Sequence, residues 1–559
     1  MEAKDYWERY EKGIQYNSSF KPNKDYYEAI KVWNDFYNGD QWNGVGGASK
    51  LPKTVFNYIK RIVDFKIASV TSSDISVSVE PLRNTPVNKQ EIDNTDFVNN
   101  EIKNVFEKWN FRKLKKRALR KAGISGDMCA HIIFNPEAKP FRGFAPDVKG
   151  EMEIELIDAT NIYFGNANIK SVSKQPYIII VGRDTVQNLQ EEAKLFKAQD
   201  NNIRSDDDTE YQLTEFANVE VESADIEKDN DGKAKYIYYY YKKKVGEDIH
   251  VFVTKCTKDA IIYQDIDTTY SDYPVAFANW YELENTYHGR GEVEGLCPNQ
   301  IAINKMFAMI VYHQMMTAFP IAVYDKDVIK SWSNQIDTAF GLSNLNGRSV
   351  KDVVGYLNPA NMSDYIIKVI DLAIQYTKDC MGVSDASLGN VDPKNTSAIL
   401  AVQKSTAVPL ENVKDNLYDF VEQIVRIMID VMGTKYGERP VVITDEDGNR
   451  TIEKYDFAQL KGMDLHIGID VGESSYYSEI AMLQTMDNLL QGQYIEFIDY
   501  LERIPNEMFP KKAEYIAQIK AKQQQEKEAS YEQLSQYMLM LPAQYQKQFA
   551  QTIDQLASV

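Results

Sequence analysis

Cysteine is scarce, with four residues in 559, at Cys129, Cys256, Cys297 and Cys380. They lie far apart and match no zinc spacing, which excludes a zinc module and a disulfide scaffold; reduced, packed thiols are expected. His313 has no second histidine at metal-binding spacing, so neither a metal nor a cofactor is expected. Long apolar runs are also missing. The most apolar helix, from Ile301 to Phe319, carries Asn304, Lys305, His313 and Gln314, whereas a membrane span needs roughly 20 mostly apolar residues. The opening MEAKDYWERYEKG lacks a basic-then-apolar leader pattern, so a soluble protein with no membrane partner is expected. Positive charge is in short supply: 82 acidic against 63 basic residues give a formal charge of -19. Such a balance argues against a chain that wraps DNA tightly, since that needs clustered Lys and Arg to release counterions. A chain past which DNA slides without sticking stays allowed. GVGGASK, residues 44–50, lacks the two glycines four apart followed by Lys-Ser/Thr, and so reads as a flexible loop rather than a phosphate loop. No carboxylate cluster falls on strand ends, because Asp445 and Asp447 sit in a hairpin turn. Catalytic residues are therefore not assigned, and an enzyme is not expected.

What is present points to a large α+β protein of about two to four domains. Thirty-six tyrosines suit large, partly wet interfaces and an oligomer. Residues 25–42 read as a helix stopped near Gly39. A second helix follows, with Val55, Ile59, Val63, Ile67 and Val70 in register, then an alternating strand (Ile75, Val77, Val79) ended by Pro81. Ile92, Val98, Ile102, Val105, Phe106 and Trp109 mark another amphipathic helix. The most basic stretch, FRKLKKRALRK (111–121), carries its charges around a helix; a solvated face paired with carboxylates is favoured over a DNA patch.

From His131 to Trp280 the pattern turns to strands, interrupted by one helix (186–198) and by an acidic surface loop (200–231). Glu227, Asp229, Asp231 and Gly232 imitate the start of a calcium loop, but Tyr238 stands at its twelfth position, and an Asp-Gly hairpin turn is expected instead. The helix entered through Pro298 is apolar nearly all round and should be covered on most sides. A compact insert, Pro320 to Pro359, separates it from a returning helix, Asp364 to Met381, with Ile366, Ile370, Ile374 and Thr377 in one stripe. A polar Gly/Asn/Pro loop then leads into a long helix bent at Pro409, with Val413, Leu417, Phe420, Val421, Ile424, Met428 and Val431 on one face. A hairpin turning at Asp447-Gly448, a strand (MDLHIGID) and Gln-rich helices close the chain.

The order of these elements resembles tailed-bacteriophage portal proteins. The residues that carry the resemblance are Tyr37, Gly39, Gln41 and Trp42 before Leu51-Pro52 and Asn57-Tyr58-Ile59; then Glu155 to Asp158 with Asn161-Ile162-Tyr163. Tyr273-Pro274-Val275, Gly289 to Gly291 and Asn299 to Asn304 follow. The strongest are Met381 to Asp385 with Leu388-Gly389-Asn390 and Asn395 to Ala398. The resemblance implies a portal-type fold: a mixed α/β wing (1–287 and 436–475), a two-helix stem (288–319 and 360–388), a small α/β clip (320–359), a tunnel loop (389–397), a long kinked helix (398–435) and a helical C-terminal crown (476–559). It implies a homo-oligomeric ring, usually of twelve subunits, at one capsid vertex of the virion, assembled in the host cytoplasm. Double-stranded DNA would pass non-specifically through the channel during packaging and ejection. The terminase motor, the capsid protein and then head-completion adaptors would be its partners. Asn390, Asp392, Lys394, Asn395 and Thr396 would line the channel, and Asp325, Lys326, Asp327 and Lys330 would face the motor or adaptor.

Geometry permits the count: twelve inner helices of about 10 Å diameter leave an opening of about 28 Å, and a duplex is roughly 20 Å wide. Two other readings compete, an acidic oligomeric scaffold without a channel and a nucleic-acid-processing packaging enzyme.

Overall fold

In the computed structural model of the chain, the residues described are 1–21, 25–47, 51–72, 75–81, 89–198 except 142 and 144, 203–205, 232–317, 321–329, 342, 345–357, 365–382, 410–444, 450–471 except 462 and 464, and parts of 486–522. Local signals set the first helices. In α1 (Ala3–Ser19) the Asp5 carboxylate accepts from the Glu2 amide at 2.9 Å, satisfying a donor that a helix start leaves free. α2 (Tyr26–Asn38) is capped by Asp25 and stops where Gly39 turns left-handed at φ 107°. α3 (Tyr58–Val70) begins at its cap Asn57, so Val55 lies outside it, on an extended approach. After β1 (Ile75–Pro81) come α4 (Lys89–Lys108) and α5 (Phe111–Ser125), the latter stopped by Gly126 at φ 105°.

β2 (Asp127–Asn135), β3 (Glu151–Ile157), β4 (Ile162–Phe164), β5 (Tyr177–Thr185), α6 (Val186–Leu195), β6 (Lys233–Val245), β7 (Asp248–Cys256), β8 (Ile261–Asp267) and β9 (Val275–Asn279) follow. They form two antiparallel sheets, ordered β3-β2-β9 and β4-β5-β6-β7-β8. Neither β4 nor β8 is expected from the hydropathy pattern, though the portal resemblance marks Asn161-Ile162-Tyr163 as part of a wing strand. Gly232 adopts φ 49°, as a turn glycine would, yet β6 pairs with β5 across α6, so among the described residues no hairpin closes at Gly232. The acidic stretch before it lies almost wholly outside the described residues.

α7 (Glu292–Thr317) starts before Pro298, which sits inside it rather than at its entry. β10 (Ile321–Tyr324), α8 (Val350–Val353) and β11 (Val354–Leu357) form the described part of the insert, with β10 antiparallel to β11. α9 (Tyr365–Cys380) returns along α7 and ends beside its start: a Cβ on Gly295 would lie 3.8 Å from Met381 Cε. α10 (Glu411–Val431) runs into a π-helical turn, Met432–Tyr436. Every apolar residue expected on its face is buried. Pro409 and residues 398–409 lie outside the described residues. β12 (Glu438–Thr444) and β13 (Arg450–Asp456) pair as a hairpin, and β14 (Leu465–Val471) returns to pair antiparallel with β1.

The chain divides into two compact units, Met1–Val471 and Gly472–Val559. In the second, the Tyr500 hydroxyl donates to Asp487 at 2.5 Å, and Met486 and Leu501 are buried. In the first, one core joins α2, α3, α5, β2, β9, α7 and α10, with the Trp280 ring 0% exposed at its centre. Several tyrosines lie inside the subunit, among them Tyr6, Tyr26, Tyr239, Tyr240 and Tyr287, while Tyr312, Tyr365 and Tyr376 are exposed. On β6, Tyr239 turns to α1, 4.9 Å from the Tyr6 ring, while Tyr240 turns to the other face and meets His131 at 2.9 Å. That alternation is the period of a strand covered on both sides. Burial holds the His131 ring down to about 3, neutral at ordinary pH. None of the four cysteines forms a disulfide; Cys129, Cys256 and Cys297 are buried, and Cys380 is exposed.

Candidate functional site

The geometry centres on the two antiparallel helices α7 and α9, whose root is bolted and whose outer faces are bare. At the root, Asp127 opens β2 and collects donors from four sides. Asn279 Nδ2 and the Gly289 amide reach its Oδ1 at 2.7 Å each; His288 Nδ1 lies 2.6 Å and the Tyr26 hydroxyl 3.3 Å from Oδ2. Burial and the Asp127 charge hold the Tyr26 phenol well above its ordinary value, so it stays a donor. His288 Nε2 continues to Asn17 Oδ1 at 2.9 Å, tying α1 to the same knot. The Asp127–His288 pair has the shape of an acid–base dyad, but both side chains are 0% exposed, which no substrate can reach. Its role is to hold the segment before α7.

Glycines let the backbones meet there. A Cβ on Gly289 would fall 2.6 Å from the Gly126 carbonyl oxygen, and one on Gly291 2.6 Å from that of Ile124. One turn on, Glu292 pairs with Lys66 at 2.7 Å, both buried, and accepts from Trp280 Nε1 at 3.1 Å and the Tyr281 hydroxyl at 3.0 Å. A buried ion pair is tolerable when its remaining lone pairs are used in this way. Further along, Asn304 donates to Gln41 at 2.7 Å, and Gln300 spans Asn304, the Phe56 carbonyl and the Tyr58 amide. These bonds fix the first half of α7 to the α2–α3 connection.

The second half differs. An all-round apolar helix was expected to be covered; here Met309, Tyr312, Met315 and Met316 stand exposed. On α9 the expected stripe does pack inward, with Ile370 and Thr377 buried. A second stripe at the same spacing, Tyr365, Val369, Leu372 and Tyr376, lies about 100° around the helix and is exposed. Tyr365, Met315 and Tyr376 are 73%, 64% and 62% exposed. Contiguous apolar faces of this kind mark association surfaces rather than solvent-adapted ones. Sequence reading missed the second stripe because it merges with the first into one broad apolar helix.

The model of the family described as Phage P22-like portal protein matches residues 14–558, nearly the whole chain. The chain belongs to that portal family. No curated protein matches it. Portal proteins are structural head–tail connectors of tailed phages; membership implies ring assembly with capsid and packaging partners and a place in the virion. The mixed helices and strands agree with an α+β portal fold. Among the described residues, no helix is long and apolar enough to cross a membrane, and no acidic or thiol cluster is placed to hold a metal.

Of the residues that the portal resemblance singles out, Asn390, Asp392, Lys394, Asn395, Thr396 and Lys330 lie outside the described residues. Asp325 is occupied by the fold. Its carboxylate takes Arg348 Nη1 at 3.1 Å and the Asp327 amide at 3.0 Å, and its own amide donates to the Val353 carbonyl at 2.9 Å, locking β10 onto α8. Lys326 and Asp327 are exposed beside it. The root knot was legible only as the short His288-Gly289-Arg290-Gly291 run, since Asn17, Tyr26 and Asp127 come from far along the chain.

Proposed function

We propose that this portal subunit forms a ring-shaped channel at one capsid vertex, through which double-stranded DNA is packaged and later ejected. Twelve copies form the ring. α7 and α9 are its stem; the insert 320–359 is the clip on which the motor and then head-completion adaptors dock, with Asp325, Lys326, Asp327 and Lys330 as the docking residues. Residues 1–287 and 436–475 form the wing, and the C-terminal helices from 476 the crown. The observation that supports this reading best is the helical hairpin with one end bolted by buried polar bonds and bare apolar stripes along its length. Subunits that close a ring need such a face on both flanks, because each contact in a ring is between different patches. Negative-stain images of the purified chain test it: open rings with a lumen wide enough for a duplex are expected, and solid particles favour the channel-less scaffold.

The tunnel loop, Asn390, Asp392, Lys394, Asn395 and Thr396, supplies the few contacts to passing DNA. Transport needs these to be weak, since each neutralised phosphate strengthens binding and its salt dependence. Lys394 is the positive member. A Lys394→Glu ring is expected to assemble normally but to package DNA at a reduced rate; unchanged packaging removes the role assigned to Lys394.

A further inference from the structure

α5 bears a ridge of positive charge. Arg112, Lys113, Lys116, Arg117 and Arg120 are all exposed, while Leu114, Ala118 and Leu119 face the core. Their sequence reading was a solvated face paired with carboxylates. Lys121 does pair with Asp158, but Arg112, Lys113, Lys116 and Arg117 have no ion pair among the described residues. Like charges three and four apart on a helix oppose it by about 0.2–0.5 kcal/mol per pair, so the ridge is held at a cost.

α10 carries the opposite stripe. Glu411, Asp415 and Asp419 are exposed at four-residue spacing, with Glu422 next along. This face borders a groove of about 1170 Å³ whose other walls include Glu247 and Asp248, together with Glu282 and Asp272, which pair with Lys170 and Lys242. Burial first, and then the neighbouring Glu422, Asp415 and Glu282, hold the Asp419 carboxyl above its usual range. Arg426 relieves only Glu422, at 2.6 Å. Two self-repelling helical stripes of opposite sign on one chain answer each other when copies meet head to tail.

We propose that, within the ring on which this inference rests, the basic ridge of α5 in one subunit docks against the acidic face of α10 and its groove in the next. The partner is a second copy of this chain, and the contact sets the order and direction of neighbours. Exposed charges of this kind steer encounter and suppress wrong pairings, and salt weakens them.

Charge reversal tests it. One variant carries Lys113→Glu, Lys116→Glu and Arg117→Glu; another carries Asp415→Lys, Asp419→Lys and Glu422→Lys; a third combines all six. Sedimentation velocity and negative stain report rings, and circular dichroism reports folding. Each triple variant is expected to stay folded and to lose ring formation by about tenfold or more, and the combined variant to regain it. Rings from both triple variants at the wild-type level overturn the proposal and leave the ring reading standing. A folded combined variant that stays monomeric overturns it too. An α5 variant that keeps its rings but loses salt-sensitive retention of DNA would assign the ridge to nucleic acid and overturn it as well. A wild-type chain that forms no rings overturns both readings together.

Discussion

Single residues show where the first unit is tuned rather than merely filled. Glu101 on α4 is 6% exposed. Burial, above all, lifts its carboxyl from 4.5 to about 7, against the pull of Lys108, Asn104 and Arg439. The folded state therefore holds the Glu101 proton more tightly than the unfolded chain does. Its stabilising contribution is full below pH 4.5 and is lost as pH rises through about 7, by up to about 3 kcal/mol. Glu101→Gln keeps an uncharged, nearly isosteric amide at every pH. Urea midpoints measured at about pH 5 and about pH 8 should diverge for the wild type and converge for the variant. Equal pH dependence in both would show that Glu101 ionises freely. Arg439 nearby is buried, with its guanidinium donating to the Tyr436, Gly150 and Lys149 carbonyls, so it spends its donors on backbone rather than on Glu101.

Among the elements, α10 is the one that most depends on a bond no pattern announces. β9 is an edge strand, and edges expose unpaired backbone groups. Gln423 on α10 closes that edge: its Oε1 accepts from the Phe277 amide at 2.9 Å and its Nε2 donates to the Phe277 carbonyl at 3.1 Å. Gln423→Ala leaves both groups without partners, and should destabilise by about 1–3 kcal/mol in chemical denaturation, with Gln423→Glu recovering part through the amide. A loss within error would mean that water replaces the side chain. The apolar face of α10 was readable because a repeat of three or four residues is local. The same holds for α2, whose start and stop lie in Asp25 and Gly39 themselves. β4 escaped because three residues carry no period, and β8 because its polar QDID half hides the alternation and its pairing with β7 slips register. The pairing of β1 with β14 joins residues 75–81 to 465–471, and the Asp127 knot joins residue 17 to 288. No window along the chain contains both partners of either.

At the scale of the molecule, a folded subunit that leaves Tyr365, Val369, Leu372 and Tyr376 bare carries surface that assembly must cover. Fully burying one such side chain is worth roughly 1.5–3 kcal/mol, and a ring counts that gain once at every interface. Burying an unpaired carboxylate instead reverses the sign. Val369→Asp with Leu372→Asp should therefore leave the far-ultraviolet circular dichroism of the subunit unchanged while sedimentation shows monomers in place of rings. The inner stripe supplies the contrast. Ile370 is 4% exposed within the subunit, so Ile370→Asp should lower the thermal midpoint of the monomer itself rather than act only on assembly. If the Val369/Leu372 variant forms rings as readily as the wild type, the outer stripe is not an interface, and closure of the ring must be carried by other surfaces such as the paired charges of α5 and α10.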